Sequence, residues 1–329
     1  MKFGPVPVAE ALGAVLAHSV KLKDRKLRKG ATLTPAHLSA LTEAGETEVI
    51  VARLDPNDVH EDEAAAHLAE ALVPDPEAAG LRLTTAFTGR VNLIANGPGV
   101  ALLDVARLVR LNRVNPMITL ATVPAFQQMR AGGMVGTVKI ISYAVPRDDL
   151  AAACEVAWDG LRMASPVLRT ATLIVTEIPG GAGEKGVPAI RDRLAALGMT
   201  LARVTHVPHR TDDIARALAE VETDLALILT GSATSDPGDV APEALRRAGG
   251  EVTRFGMPVD PGNLLFLGHM GARPVIGLPG CARSPALNGA DWVLSRVICG
   301  IEVTAEDIAG MGVGGLLKEI PTRPQPRRG

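Results

Sequence analysis

The chain has 329 residues, of which 47% are hydrophobic and 21% are charged, and its formal net charge is -2. That length is enough for about two or three structural units with buried cores. The balanced charge excludes a broad electrostatic attraction to nucleic acid or to an anionic membrane, and the 2% of aromatic residues are too few for base-stacking platforms.

Cysteine spacing and apolar runs bear on the compartment. Cys154, Cys281 and Cys299 are widely spaced and form no C-x-x-C motif, which argues against a disulfide framework or a thiolate metal site. No apolar run has membrane-spanning length, and the start, M-K-F-G-P-V-P-V-A-E-A, lacks the apolar core of a signal peptide. We therefore expect a cytoplasmic protein without membrane contact.

Residues 1–75 predict a small α/β region. Apolar residues at helical spacing indicate a helix over Pro7 to Val20. Thr34 as N-cap and Pro35 in the first turn indicate a second helix, which precedes a strand at Glu48 to Ala52. A further helix is expected after Asp55-Pro56, running through Glu70.

A basic run, K-L-K-D-R-K-L-R-K, extends from Lys21 to Lys29 and places six cations in nine residues. Such a run is either a solvated loop or a docking surface for an acidic partner or a phosphate, and the solvated loop is the commoner case. Farther along, V-P-D-P-E-A-A-G at Val73 to Gly80 indicates a boundary.

Residues 81–165 predict an α+β middle region. Lys139, an isolated cation in a β-branched strand, either points into a cleft and neutralises a phosphate or lies on a solvated sheet face. Asn96 to Gly99 either cradles a phosphate or forms a tight turn, and the turn is the simpler interpretation. The predicted strands are Leu81–Phe87, Arg90–Ala95, Met117–Pro124 and Met134–Val145, and the predicted helices are Val100–Val114 and Asp148–Trp158.

Residues 168–312 predict an α/β domain, because strand and helix patterns alternate. This alternation indicates a mostly parallel sheet with helices on both faces and a ligand at the carboxyl ends of the strands. The predicted strands are Ala171–Thr176, Thr200–Val207, Leu225–Thr230 and Glu251–Phe255, with a hairpin of Leu264–Leu267 and Pro274–Leu278; the helices are Glu184–Leu197, Asp212–Val221 and Pro242–Ala248.

Three turns follow predicted strands, at Glu177 to Gly183, Gly231 to Asp239 and Pro279 to Ser284, and we expect them to converge on one cleft. In the middle turn, glycine lets the backbone approach an anion and small hydroxyl residues donate hydrogen bonds; these residues are Gly231, Ser232, Thr234 and Ser235. The carboxylates of Asp236 and Asp239 either hold a bridging divalent cation or begin the next helix, with Asp239 as N-cap. Spacing alone slightly favours the helix start.

Two runs in this domain resemble a known family: L-I-L-T-G-S-A-T-S-D-P-G-D-V-A-P-E-A-L and P-G-N-L-L-F-L-G-H-M-G-A-R-P-V-I-G-L-P-G-C-A-R-S. They are similar to the molybdopterin-binding domain of molybdopterin adenylyltransferases and molybdenum insertases. The insertase pattern G-G-x-S-x-G-x-x-D falls on Gly231 to Asp239, and D-V-T-P-E-A falls on Asp239 to Ala244. The patterns P-G-K-P-L-x-x-G and P-V-x-G-L-P-G-N-P-x-S fall on Pro261 to Gly268 and Pro274 to Ser284.

The chain departs from these patterns at several positions. Ser232 replaces the second glycine, Gly238 replaces an arginine, Asn263 replaces a lysine, and Cys281-Ala282 replaces Asn-Pro. The insertase segment S-x-x-D-G-Y-A is absent, and the family's T-G-D-E-L is reduced to Thr176-Glu177. These departures leave open whether the chain catalyses a reaction or only binds.

The resemblance implies a molybdopterin-binding protein of molybdenum cofactor biosynthesis, acting by adenylyl transfer to molybdopterin or by molybdate insertion. The alternative is a non-catalytic carrier that presents molybdopterin to a nucleotidyltransferase. The implied ligands are molybdopterin, Mg2+ and a nucleotide, ATP or CTP, with molybdate as a further candidate, and a homo-oligomer is expected. Residues 313–329 predict a Pro/Arg-rich linker or tail.

The implied site residues share a position at the ends of predicted strands. Asp239 and Asp236 are the candidate catalytic residues, and Asp239 is the candidate metal ligand. The candidate cofactor-binding residues are Thr176, Glu177, Gly231, Ser232, Thr234, Ser235, Pro279, Gly280 and Ser284.

Overall fold

A computed structural model describes residues 1–23 and 25–317, so most of the predicted tail lies outside the described residues. The chain forms two compact units. The first comprises the described residues of Met1–Asn96, Ala101–Ala125 and Ala131–Met163, and the second comprises Gly97–Val100, Phe126–Arg130 and the described residues from Ala164 to Leu317. The predicted division into 1–75, 81–165, 168–312 and 313–329 stays a prediction. Over the described residues, no helix is both long and apolar enough to cross a membrane.

Among the described residues up to 164, the elements are strands with four α-helices between them. The strands are β1 (Lys2–Pro7), β2 (Val15–Leu16), β3 (Val20–Lys21), β4 (Lys26–Leu27), β5 (Glu48–Arg53), β6 (Asp58–His60), β7 (Leu81–Leu83), β8 (Arg90–Ala95), β9 (Gly99–Leu103), β10 (Ile118–Thr122), β11 (Gln128–Met129), β12 (Met134–Ile140), β13 (Ala144–Pro146) and β14 (Leu161–Ala164). The helices are α1 (Pro35–Glu43), α2 (Glu61–Leu72), α3 (Val105–Val114) and α4 (Arg147–Ala157).

The predicted helix over Pro7 to Val20 is wrong. β1 pairs with β5 as far as Pro7, a short 3-10 helix covers Val8–Glu10, and β2 returns to β5 with Val15 opposite Ala52. The apolar residues at helical spacing are buried as expected, apart from the exposed Leu12, but they belong to separate short segments. Pairing with β5 therefore overrides the local pattern.

The predicted helix over Val100 to Val114 begins too early. Residues Gly99–Leu103 form β9, and α3 begins at Val105 because the Asp104 carboxylate accepts the N–H of Arg107 at 2.9 Å as an N-cap. The guanidinium of Arg107 also pairs with Asp104 at 3.2 Å. The cap residue fixes the helix start, whereas the sequence analysis placed it several residues upstream, directly after the Asn96 to Gly99 turn.

The structure shows the contacts of Lys139 and the position of the basic run, both in the first unit. Nζ of Lys139 lies 2.5 Å from the carbonyl oxygen of Thr88 and 3.6 Å from the carboxylate of Glu61, so this cation is paired within the unit. Two residues of the basic run pair across β3 and β4, where Lys21 lies opposite Lys26, and the neighbouring Leu22 and Leu27 are buried.

The elements from residue 165 onward form the α/β domain that the sequence predicts. Its strands are β15 (Thr170–Glu177), β16 (Thr200–Pro208), β17 (Leu225–Leu229), β18 (Glu251–Phe255), β19 (Phe266–Met270) and β20 (Arg273–Leu278). Its helices are α5 (Val187–Ala195), α6 (Thr211–Ala219), α7 (Val240–Arg247), α8 (Gly289–Ile298) and α9 (Ala305–Gly310), and a 3-10 helix covers Gly280–Arg283.

The strand order in this sheet is β16-β15-β17-β20-β19-β18. The first four strands are parallel, and β19 and β18 continue the sheet antiparallel. The central strand β17 is an unbroken apolar run, L-A-L-I-L, buried throughout, as a strand covered on both faces requires. The predicted fold class, a mostly parallel α/β sheet, is confirmed.

Side chains of the sheet alternate between two apolar clusters. Leu173 and Leu227 pack in one cluster with residues of α5 and α8. Ile174 and Ile228, one position on, pack in the other cluster with residues of α6 and α7. Because successive side chains of a strand point to opposite faces, helices cover both faces of the sheet. Each fully buried Leu or Ile contributes about 1.5–3 kcal/mol of transfer free energy.

Phe266 and Gly277 face each other across β19 and β20. A Cβ atom added at Gly277 would lie 1.9 Å from the Phe266 ring, which is 1% exposed. The ring therefore occupies the volume that a side chain at position 277 would need.

Candidate functional site

The parallel strands β15, β17 and β20 end at one edge of the sheet, and the three predicted turns meet there. The N–H of Gly231 donates to Oγ1 of Thr176 at 2.8 Å, which joins the end of β15 to the turn after β17. Nη2 of Arg283 donates to the carbonyl oxygen of Thr230 at 2.8 Å, which joins the turn after β20 to the same place. The expected convergence of the three turns therefore exists in the structure.

Thr176 is the penultimate residue of β15, and its hydroxyl group forms hydrogen bonds inside the protein. The residue is 1% exposed, and Oγ1 lies 2.8 Å from Nδ1 of His209 in addition to accepting the Gly231 N–H. A Cβ at Gly231 would lie 2.6 Å from the Thr176 carbonyl oxygen, so the two backbones pass very close together. Thr176 thus positions the glycine turn rather than presenting a hydroxyl to solvent.

Glu177, the next residue, is exposed, and its carboxylate lies close to the ring of His206. Its Oε1 lies 2.9 Å from Nδ1 of His206, and Nε2 of that ring lies 3.5 Å from Oε1 of Glu184. Across residues 1–23 and 25–317, no cluster of three or more His, Cys, Asp or Glu side chains suited to a metal ion occurs. The metal role of Asp239 stays a prediction.

Both carboxylates of the middle turn accept hydrogen bonds from its own backbone. Asp239 caps α7, with Oδ1 accepting the N–H of Val240 at 2.7 Å and Oδ2 accepting the N–H of Ser235 at 3.0 Å. Oδ1 of Asp236 accepts the N–H of Gly238 at 2.7 Å. The structure thus contains the helix start that spacing slightly favoured, and the carboxylates also fix the shape of the turn.

The hydroxyl residues of this turn divide into buried and exposed members. Thr234 is buried, and its hydroxyl oxygen lies 3.4 Å from that of Thr230. Ser232 and Ser235 are exposed. Their hydroxyl groups are therefore the ones available to a ligand from solvent.

The turn after β20 is held by Arg193, which reaches it from α5. Its guanidinium donates to the carbonyl oxygens of Ala282, Ser284 and Ala286 at 2.8–2.9 Å. The same guanidinium pairs with Asp291 in the first turn of α8. Within the turn, Pro279 is buried and both Gly280 and Ser284 are exposed. Oγ of Ser284 accepts the N–H of Ala286 at 3.2 Å.

Arg283 is a residue of this edge that the sequence analysis missed. It donates to the carbonyl oxygens of Lys185 at 2.6 Å and Gly183 at 3.4 Å from Nη1, in addition to that of Thr230. Burial lowers the pKa of its guanidinium. The signal available in the sequence was a cation at an unspecified position of the P-V-x-G-L-P-G-N-P-x-S pattern.

The part of the chain that contains these turns is a domain of a known family. Residues 172–297, from β15 to α8, match the family model described as "Probable molybdopterin binding domain". The resemblance that the motifs indicated is thereby confirmed for this domain. Residues 5–53 match a separate family described as "Domain of unknown function (DUF8806)". No curated protein matches the chain.

Solved structures similar to this chain include proteins whose titles name molybdopterin biosynthesis. The MoeA protein from Pyrococcus horikosii has 13% identity over 91% of this chain and 75% of its own, with a TM-score of 0.31. A protein from Mycobacterium abscessus has 19% identity over 41% of this chain and 94% of its own, with a TM-score of 0.29. The enzyme MoaB from Thermus thermophilus has 24% identity over 40% of this chain and 89% of its own, also with a TM-score of 0.29.

Proposed function

We propose that this protein binds molybdopterin at the carboxyl edge of the α/β sheet and acts in molybdenum cofactor biosynthesis. The observation that carries the proposal is the meeting of three turns at that edge, inside the domain that matches the molybdopterin-binding family. Open α/β sheets bind ligands at this edge. The substrate's phosphate supplies the negative charge that hydroxyl groups, amides and a guanidinium are suited to bind.

The residues present fit an anionic ligand. The exposed hydroxyl groups of Ser232, Ser235 and Ser284 are hydrogen-bond donors, and Arg283 brings a positive charge to the same edge. Gly280 is exposed and leaves room for a ligand to approach the backbone. In this proposal the buried residues Thr176, Thr234 and Pro279 shape the turns from the protein interior, and the exposed Glu177 lies at the outer edge of the ligand site.

Between the two modes of action, the carboxylates favour binding and presentation. Asp239 and Asp236 already accept amide hydrogens of their own turn, which gives them a structural task. We infer a carrier that presents molybdopterin to a nucleotidyltransferase, acting as a cytoplasmic homo-oligomer. Size-exclusion chromatography with light scattering tests the oligomer.

A catalytic mode has one observation in its favour. An ionised carboxylate has about four lone-pair sites, and each oxygen of Asp239 uses one of them for an amide. The remaining sites suit Mg2+, which would neutralise phosphate charge during adenylyl transfer with ATP or CTP or during molybdate insertion. In that mode Asp239 holds the ion and Asp236 supports the turn.

A titration with molybdopterin tests the binding proposal, and absence of saturable binding would refute it. Incubation with molybdopterin, Mg2+ and ATP or CTP then separates the two modes. A carrier binds without forming a nucleotide adduct, whereas an adenylyltransferase transfers the nucleotide. Asp239→Asn retains one oxygen that can accept the Val240 N–H as an N-cap, but its amide nitrogen cannot accept the Ser235 N–H as Oδ2 does. It should weaken molybdopterin binding only modestly in a carrier and abolish turnover in a metal-dependent enzyme.

A further inference from the structure

Arg283 lies where the three turns meet, and its hydrogen bonds do not use all of its donors. A guanidinium has five N–H groups. Two on Nη1 face the carbonyl oxygens of Gly183 and Lys185, and one on Nη2 faces that of Thr230. In the part of the chain that the structure describes, the Nε–H and the second Nη2–H have no acceptor.

The charge of Arg283 is also uncompensated. No carboxylate lies within ion-pair distance of its guanidinium among residues 1–23 and 25–317, although the side chain is half-buried. Carbonyl oxygens carry only partial negative charge, and a partly desolvated cation is unfavourable without a counter-ion. The arrangement thus keeps a positive charge and two donors at the edge where a phosphate is expected.

We propose that Arg283 is the anion anchor of this edge and binds a phosphate or diphosphate group of the substrate. The inference rests on the proposed function and extends it to a residue that the quoted family patterns leave unspecified. Arginine is suited to this task because its planar fork can donate two parallel hydrogen bonds to phosphate oxygens. The three carbonyl contacts fix the guanidinium in place before the ligand arrives, which reduces the entropy lost on binding.

The first experiment measures pyrophosphate binding by calorimetry, with sodium chloride at equal ionic strength as the reference. Arg283→Gln should weaken binding roughly 10- to 100-fold, the effect of losing hydrogen bonds to a charged group. The matched control is Arg273→Gln. Arg273 is half-buried on β20 and donates to the carbonyl oxygen of Thr223 at 2.7 Å, at the opposite end of the strand. This variant should bind pyrophosphate as the wild type does.

Further arms separate the ligand source from the residue's role. The same variants are titrated with molybdopterin and with ATP, and the ligand whose affinity falls with Arg283→Gln is the one whose phosphate Arg283 binds. Arg283→Lys keeps the charge but loses the fork, so its pyrophosphate affinity should lie between those of the wild type and the glutamine variant.

The outcomes distinguish this inference from the proposed function. If Arg283→Gln binds pyrophosphate, molybdopterin and ATP as tightly as the wild type, the anchor is overturned while molybdopterin binding stands. If the wild type binds pyrophosphate through Arg283 but does not bind molybdopterin, the anchor stands and the proposed function falls. Should the glutamine variant fail to fold, the NMR resonance of the Arg283 Nε–H in the wild-type protein decides the question. Adding pyrophosphate should shift this resonance if Arg283 binds the anion, and should leave it unmoved if Arg283 is purely structural.

Discussion

Two arginines of the α/β domain hold the same edge of the sheet in different ways. Arg193 has a side chain only 10% exposed, donates to carbonyl oxygens around the turn after β20, and is neutralised by Asp291, itself 12% exposed. Arg283 also donates to backbone carbonyl oxygens. In the described residues, however, it has no carboxylate partner, and two of its N–H groups have no acceptor. The comparison teaches that the partner, rather than the residue type, separates a structural arginine from one that is suited to an anion.

The largest expected effect is the loss of Arg193. Arg193→Ala removes one side of a buried ion pair and leaves Asp291 and several carbonyl oxygens without their donor, so we expect a loss of roughly 3–5 kcal/mol in unfolding free energy. Denaturant unfolding measures it. The control is Arg216→Ala, whose partner is Asp213 and whose side chain is 74% exposed. Arg216→Ala should cost less than about 1 kcal/mol. Equal losses in the two variants would contradict the structural role of Arg193.

A smaller effect is expected from Gly231→Ala, which disturbs the backbone that Arg283 contacts. The new Cβ would lie 2.6 Å from the Thr176 carbonyl oxygen, so the turn must shift, at about 1–3 kcal/mol. The shift also moves the neighbouring Thr230 carbonyl and should weaken pyrophosphate binding. Gly310→Ala is the control, because Gly310 belongs to α9, outside the three turns, and nothing lies within 4 Å of its added Cβ. Pyrophosphate affinity that is the same in both variants would argue against a role for the turn's position.

Arg283→Gln should cost only about 1 kcal/mol of stability, since water can replace the guanidinium at the half-buried edge and an uncompensated charge is removed. Thermal unfolding in chloride buffer measures this loss. A loss as large as that of Arg193→Ala would mean that both arginines are structural, and the distinction between them would fail.

The smallest effect is expected at Asp224, whose carboxylate accepts hydrogen bonds from backbone N–H groups. The N–H of Arg169 and then that of Thr170 hold the pKa of Asp224 below its ordinary value. The lowered pKa means that Asp224 stabilises the fold above the unfolded pKa, about 3.9, and that this contribution is lost as the pH falls through the folded pKa.

Asp224→Asn should therefore flatten the acid decline of unfolding free energy below about pH 4, with an amplitude under about 1 kcal/mol because the side chain is exposed. Chemical denaturation at several pH values measures it. An unchanged acid decline would show that these amides do not favour the ionised form.

The α/β domain was predictable because its signals are local. β17 is an unbroken apolar run, and strands alternate with helices that have their own start and stop residues. The errors fell where distant pairing decides the conformation, as for the segment after Pro7, which pairs with β5.

The meeting of the three turns at the candidate site was predictable, but the contacts between them were not. Three turns at the ends of parallel strands must share an edge, so their meeting followed from the order of elements. Arg193 and Asp291 are 98 residues apart in sequence, and no local spacing indicates that they pair. Arg283 stood inside a recognised pattern, at a position that the pattern leaves unspecified.

The contact between Phe266 and Gly277 means that the side chains at these two positions, on neighbouring strands, must fit into one core volume. Enlarging position 277 alone forces the ring out of the core, and shrinking position 266 alone leaves a void. Only a reciprocal exchange, such as Phe266→Leu with Gly277→Ala, conserves the total volume. The two positions should therefore be strongly coupled in a double-mutant cycle and should vary as one unit in any redesign of this sheet.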